Sequence, residues 1–589
     1  MSNEYIDIVT KIKNKVISFL HHERNIIIND ISIEKTESHF DGDFSIVVFS
    51  LAKEYKINPS ELCNVIGEHL ISNGYIKCFN VVKGYLNVVL HDKDVIDIIN
   101  NIWCKNFIFN FPHKNKKILI EYSSPNTNKP LHLGHLRNIF LGFAIAKILQ
   151  MVGYDVITVT LVNDRGIHIC KSMLAYMRTG NGLTPESTHI KGDHFVGDFY
   201  VAFDKMLKHE KEVLKLHDDN LAPIMVEAQK ILEQWEKKDP VVLSLWGKMN
   251  KWVLDGFEET YQKLNIRFDK TYYESQTYLL GKNIIEEGLH EGVFFKKEDG
   301  SVWVDLRQQN LNEKLLLRAN GTSVYITQDI GTADIRYKEF KVKDMIYVVG
   351  DEQEHHFVVL KYILQKLNKP YANGIYHLSY GMINLPSGKM KSREGTVIDA
   401  DDIIDMMLEK AEEKLSEIGK INFFTDEAKK ETCNIIGLAA LRFFLLKISP
   451  KKTITFDINK SIDFSGDTGT FILYTNVRIH SIFMKCDIKI DQNTICKEQI
   501  LTKIEKDLIL TIFSVKTLLY KSAEKRDPSL LAQYALTLAK KFNSLYNNLH
   551  IINEKNNDTK IMRLIIAKTV SDVLENILSL FGIKIVKKM

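Results

Sequence analysis

The sequence has 589 residues, 45% of them hydrophobic and 26% charged, with a formal net charge of +4 at pH 7. That length predicts roughly three to five domains. The composition is that of a soluble globular protein with sizeable cores, and the charge does not by itself announce a nucleic-acid binder, although local basic patches can still hold RNA.

In chain order, the opening MSNEYIDIVTKIKNKVISFLHHERN carries alternating charges and reads as an amphipathic helix, not a signal peptide. No run of about 18 apolar residues follows anywhere, so no membrane span is expected. The cysteines are Cys63, Cys78, Cys104, Cys170, Cys433, Cys486 and Cys496, an odd number with no C-x-x-C pair. They point to a reducing, cytoplasmic setting and away from a zinc ribbon. Residues 1–112 read as an α+β unit built around DGDFSIVVFSLAKEY, a helical INPSELCNVIGEHLISNG and a β-like GYLNVVLHD.

A second unit, 113–400, opens with KNKKILIEYSS, whose apolar centre reads as a buried strand. The loop PNTNKP follows, then a helix over LHLGHLRNIFLGFAIAKILQMVGY and a strand over DVITVTLV. This β-loop-α-β unit predicts an α/β fold, a doubly wound parallel sheet of the Rossmann-like kind. DMIYVVGDEQEHHFVVLKYILQKLN repeats strand, loop and helix, and IYHLSYGMI gives a further strand before the loop NLPSGKMKSREGTV. The polar, helix-rich stretch from about 170 to 320 reads as an insertion between the two halves of the sheet. Helical patterns dominate residues 401–455 and again 456–589, which predicts a helical junction and an all-α C-terminal domain.

Two places carry chemistry. His132 and His135 lie three apart at the start of a helix and share a face, and Gly134 between them lets a ligand approach the backbone. A helix N-terminus at the C-terminal edge of a parallel sheet suits phosphate. There two imidazoles can donate hydrogen bonds as charge builds, and Lys129 adds positive charge. The second place is the loop with Lys389, Lys391 and Arg393, which could close over a polyphosphate or be a solvated charge run. No P-loop and no dinucleotide fingerprint occurs. Adjacent His355 and His356 point about 100° apart on a helix and would not share an ion. His189 and His194 have no cysteine near, so both pairs read as structural and no protein-held metal is expected.

Together these elements resemble the signatures of class I aminoacyl-tRNA synthetases: PLHLGH is similar to the HIGH element and KMKSREG to the KMSKS loop. EYSSPNTNKPLHLGHLRN, IKGDHFVGDFY, TQDIGTADIRY, VVGDEQEHHF and DTGTFILYTNVRI narrow the resemblance to the arginyl type, from about residue 42 to the closing FGIKIVKKM. The loop departs from the family pattern, with Ser392 where the second lysine stands. Its charge falls either to Lys391 or to Lys129, which holds the position the arginyl family uses instead.

The resemblance implies ATP-dependent activation of L-arginine and its transfer to the terminal 2′-hydroxyl of tRNA(Arg), with tRNA needed even for the first step. It implies His132, His135, Lys129, Lys389 and Lys391 as catalytic residues. Pro130, Leu133, Gly134, Asn138, Gly381, Met382 and Met390 would border ATP, with Mg²⁺ bound through the phosphates. Glu121, Tyr325 and Asp329 would hold the guanidinium, with Ser123 in the same arginine site, and Asn126 and Gln353 would hold the α-amino group. Charge-assisted bonds to that five-donor cation contribute roughly 1.5–3 kcal/mol each. The N-terminal unit would touch the tRNA elbow. The C-terminal domain would bind the anticodon, with Tyr474, Asn476, Arg478 and Met589 facing tRNA. The family is usually monomeric. A cysteinyl enzyme would need zinc-binding cysteines, a nucleotidyltransferase would not need the helical C-terminal domain, and a catalytically inert tRNA-binding relative would have lost the histidines and acids that are present here.

Overall fold

A computed structural model describes residues 7–36, 39–105, 108–386, 398–417 and 425–586, together with the backbone of 388–389. The N-terminal domain is a four-stranded antiparallel sheet of β1 (Ser32–Lys35), β2 (Phe44–Val47), β3 (Cys78–Val82) and β4 (Tyr85–Val89), in the order β1-β2-β4-β3. The helices Ile8–Arg24 and Pro59–Ser72 accompany it. The second begins sharply because Asn58 caps it, accepting from the Ser60 and Glu61 amides, with Pro59 at the first helical position.

The central sheet is built from β5 (Lys117–Glu121), β6 (Asp155–Val162) and β7 (Lys270–Tyr273). A small antiparallel sheet of β8 (Phe295–Lys296), β9 (Val302–Val304) and β10 (Lys314–Leu317) intervenes before β11 (Asp344–Gly350) and β12 (Ile375–Tyr380) complete it. Its order is β12-β11-β5-β6-β7, and every pairing is parallel. The chain runs outward from β5 on one side through β6 and β7, and on the other through β11 and β12. The order therefore reverses between β5 and β11, and a crevice at the C-terminal ends of those strands is where such sheets bind ligands. The expected α/β doubly wound architecture is what the chain forms.

One expectation needs correction. The stretch 170–320 is not a single insertion, because β7 lies inside it and pairs with β6 over Lys270–Tyr273. The segment before β7 is a helical crossover that includes Gly192–Leu214 and Pro240–Lys263, and the segment after it carries the small sheet.

Beyond β12 the chain forms β13 (Ile383–Leu385), β14 (Gly388–Lys389) and, after the helices Ala400–Glu417 and Asp426–Leu446, β15 (Ile454–Thr455). β13 pairs antiparallel with β14 and parallel with β15. The C-terminal domain is helical: Gly469–Lys485, Lys503–Phe513, Val515–Lys525, Ser529–Asn548 and Asn557–Leu580. It docks on the N-terminal domain. Lys35 pairs with Asp507 at 2.9 Å and Lys506 with Asp43 at 2.8 Å. Asn100 and Cys496 exchange two hydrogen bonds of 2.9 and 2.7 Å, and Trp103 donates to the Asp491 carbonyl at 2.9 Å.

Candidate active site

β5 ends at Glu121, beside the reversal of strand order. The loop after it turns through Ser123 and Ser124, both in the left-handed region (φ 73° and 44°), and bridges back to β6 through Asn126 and Asn163. The helix Leu133–Met151 then starts with His132 as its cap. His132 Nδ1 accepts from the Gly134 amide and His135 Nδ1 from the His132 amide, each at 3.1 Å, and the rings lie 3.9 Å apart. An Nδ1 that accepts leaves the proton on Nε2. Burial, reinforced by Lys129, pushes His132 down to about 3; burial, with His132 and Lys129 beside it, holds His135 well below the ordinary imidazole range. Both rings are thus neutral Nε2–H donors at pH 7. A Cβ at Gly134 would come within 3.0 Å of the His132 ring. Leu133 is fully buried, so only its backbone can face a nucleotide. Pro130 is half-buried and packs close to Gly197, where an added Cβ would stand 2.8 Å from its Cδ.

The same helix holds the base of the basic loop. Arg137, 2% exposed, donates through Nη1 to the Gly381 carbonyl (2.7 Å) and the Met382 carbonyl (3.3 Å). Through Nη2 it donates to the carbonyls of Pro450 (2.8 Å) and Lys452 (2.7 Å). Gly381 also donates its amide to the Pro450 carbonyl at 3.0 Å, and an added Cβ would stand 2.9–3.0 Å from the backbone of Lys451 and Lys452, so the glycine allows the two segments to approach. Met382 beside it is 56% exposed. The far end of the loop returns to the same place: Asp399 bridges antiparallel to His132, and the Ala400 amide donates to the Leu131 carbonyl at 2.8 Å. Asp401 fixes that end, accepting from Lys191 (2.7 Å), Lys263 (3.0 Å) and Thr260 (3.2 Å), with His194 at 3.5 Å. The Lys389 side chain, Met390, Lys391 and Arg393 lie outside the described residues.

Two expected ligand contacts are corrected. Asn138 is buried and spends its whole amide on the fold: Oδ1 accepts from the Ser123 amide (2.6 Å), and Nδ2 donates to the Val348 carbonyl (2.7 Å) and to Tyr380 Oη (3.2 Å). It pins the β5 loop to β11 and β12 and has no group left for ATP. Ser123, 4% exposed, shares its hydroxyl hydrogen bond with Tyr261 at 2.7 Å and is likewise structural.

The helix Tyr325–Phe340 brings Tyr325, 76% exposed, and Asp329 onto one face a turn apart. Asp329 Oδ2 lies 2.6 Å from His356 Nε2, at the start of the helix that follows β11, so His356 has a definite partner. Asn126 and Gln353 are both exposed near the strand ends. Glu121 does not stand open for a guanidinium: Oε2 is paired with the fully buried Arg336, and Oε1 accepts from Ser124 Oγ at 3.2 Å. The acid that the sequence reading missed is Glu274, directly after β7 and 9% exposed. Burial pushes it up to about 7, against the pull of Arg165, with Asp164 and Asp329 also repelling its charge. Glu274 lies on the short helix Glu274–Thr277, which packs against the helix Tyr325–Phe340 that carries Asp329, near enough for the Asp329 charge to act on it. A buried acid whose charge is further disfavoured by a neighbouring acid favours an entering cation, whose arrival would relieve that repulsion.

In the C-terminal domain, Arg478 lies over the rings of Tyr474 (5.3 Å) and Tyr546 (4.9 Å), bonds Asn543, and is half-exposed like Tyr474. Asn476 is 0% exposed, donates to Glu575 Oε1 at 3.1 Å and accepts from the Ser571 hydroxyl. It is a packing residue and cannot face tRNA. Met589 lies outside the described residues.

Three family models match in chain order. They are the arginyl tRNA synthetase N terminal domain over residues 7–90, the catalytic domain of class I (R) tRNA synthetases over 99–457, and the DALR anticodon binding domain over 472–589. The arginine–tRNA ligase of Amoebophilus asiaticus is 48% identical, over 96% of this chain and 97% of its own. That of Flavobacterium psychrophilum is 44% identical, over 97% and 98%. Among solved structures, the arginyl-tRNA synthetase of Thermus thermophilus shares the fold, with a TM-score of 0.79 at 24% identity over 98% of this chain and 99% of that one.

Proposed function

The chain belongs to the arginine–tRNA ligases of the class I aminoacyl-tRNA synthetases, and on that premise we propose which of its residues carry each step. The reaction joins arginine to tRNA with conversion of ATP to AMP and diphosphate. The arginine carboxylate, already ionised, attacks the α-phosphate, so no general base is required and catalysis rests on positioning and charge stabilisation. His132 and His135 donate from Nε2 to phosphate oxygens. Their neutrality supports this role, since each is a fixed donor whatever the solvent pH near 7. Lys129, Lys389 and Lys391 supply positive charge to the leaving diphosphate, while Pro130, the Leu133–Gly134 backbone, Gly381, Met382 and Met390 border the nucleotide.

Mg²⁺, when bound, neutralises phosphate charge. Among the described residues, Asp193, His194 and Asp401 form the cluster with metal-ligand spacing, but Lys191 and Lys263 already sit on the Asp401 carboxylate. The ion is therefore assigned to the phosphates and not to a protein cage.

The guanidinium is held by Asp329 and Glu274, with Tyr325 at the rim, His356 orienting Asp329, and Asn126 and Gln353 taking the α-amino group. The buried, raised Glu274 on a helix packed against that of Asp329 is the observation that carries this assignment. Charging of tRNA with labelled arginine, against lysine and canavanine, tests it. Asp329→Ala and Glu274→Gln are each expected to raise the KM for arginine about 10- to 150-fold, the equivalent of one lost charge-assisted hydrogen bond. Unchanged KM values in both would remove these two residues from the pocket.

Tyr474 and Arg478 are read as a platform on which an unpaired tRNA base stacks. Residues 1–112 are read as the elbow-contacting domain, 113–400 as catalytic, 401–455 as the junction and 456–589 as the anticodon-binding domain. A cytoplasmic monomer is the working reading. All seven cysteines are free, which fits a reducing setting, and no helix of the described residues is long and apolar enough to cross a membrane.

A further inference from the structure

Arg336 stands seven residues after Asp329 on the same helix and is fully buried. Its guanidinium lies 5.0 Å from the Tyr272 ring and 5.6 Å from the Tyr347 ring, and Nη2 meets Glu121 Oε2. Nε and Nη1 have no hydrogen-bond partner among the described residues. Glu121 and Ser124 close the other side. A guanidinium set among aromatic rings and against a carboxylate uses the interactions an arginine pocket needs, yet here the chain makes them with its own side chain, at the end of β5 beside the substrate crevice.

We propose that Arg336 is a positioning residue that sets substrate specificity: a resident guanidinium that engages Glu121, so that of the three acids only Asp329 and Glu274 select the substrate side chain. This rests on the pocket assigned above. Without Arg336 a third uncompensated acid would border the crevice. Three acids reward any cation, whereas two acids in fork-matching positions reward the planar one, because a compact ammonium leaves acceptors unpaired. Removal of the side chain would also leave a slot of guanidinium size beside Tyr272 and Tyr347.

The test uses the full-length protein and pyrophosphate exchange with tRNA present. Arg336→Ala is expected to lower discrimination against lysine and ornithine about tenfold or more, through better use of those two cations and not through loss of arginine binding. Methylguanidinium at millimolar concentration should restore discrimination, and neutral urea should not. The wild-type protein in the same solutions should show only competition for the substrate pocket. Arg336→Lys, which keeps the charge but not the plane, should fall between. Where Arg336→Ala does not fold, Glu121→Gln/Arg336→Met removes both charges at once. It is expected to keep discrimination within about threefold, since a buried ion pair can often be replaced by neutral groups. Unchanged discrimination in folded Arg336→Ala, or equal rescue by urea, would overturn the proposal. So would a double variant as unselective as the single one, because Glu121 would then bind substrate directly. Unchanged arginine KM in Asp329→Ala and Glu274→Gln would instead sink the pocket, whatever Arg336 does.

Discussion

A histidine that gained and lost its proton near neutrality would be an inconstant phosphate donor; the folded site prevents this by burying His132 and His135 with their Nδ1 atoms committed to backbone amides. Their lowered proton affinity has a price in acid. A group held below its unfolded pKa contributes stability that is complete above that unfolded value, about 6.5 for histidine, and is lost as pH falls toward the folded one. For His132 that window runs from about 6.5 down to about 3. Unfolding by urea should therefore become easier between pH 6.5 and 4, and His132→Asn should reduce proton uptake on unfolding at pH 5 by about one proton. An unchanged pH dependence in the variant would show that the imidazole titrates normally. The two histidines were legible in the sequence because their spacing and their place after a strand are local. Glu274 was not, since its helix comes beside that of Asp329 only after β7 has joined the sheet. Nor was the occupation of Glu121, whose partner Arg336 lies far along the chain with no motif linking them.

At the scale of elements, the described residues on either side of the lysine loop are held by fixed attachments. Arg137 ties the helix of the histidines to both walls of the β13–β15 pair, and Asp399 and Ala400 return the loop to Leu131 and His132. A displaced loop base would misplace the lysines relative to the phosphates, and about 1 Å of error can cost on the order of 10²-fold in rate. Arg137→Lys, with one cationic head for four carbonyls, should lower kcat for arginine activation by that order while leaving the arginine KM within a few-fold. A proportionate rise in KM would show that the clamp shapes the amino-acid pocket instead. β5 and β11 could be read as strands from their apolar centres, residues 118–120 and 345–349, as parallel buried strands require, and β6 and β12 from their β-branched and aromatic residues. β7 escaped notice because its four residues, Lys270–Tyr273, form an edge with a largely half-exposed pattern. The carbonyl clamp of Arg137 was equally invisible, since any residue presents a carbonyl and sequence carries no mark of which one accepts.

At the scale of the molecule, substrate contacts and packing can be told apart by burial. Asn476→Ala should lower the thermal unfolding temperature and leave the tRNA KM near its wild-type value, because its amide is consumed between helices. Arg478→Ala should do the reverse, raising the tRNA KM about tenfold, the order of one lost base-stacking contact; equal effects from both variants would argue against a stacking platform there. The docking of the first domain on the last has a consequence in time. Asn100 bonds to Cys496 across 396 residues of sequence. At synthesis rates of roughly 5–20 residues per second, the N-terminal domain waits on the order of 20–80 s outside the ribosome before its docking partner is made. Its four strands pair only with one another, so the sheet can form within that interval and present Lys35 and Asp43 to helices not yet translated.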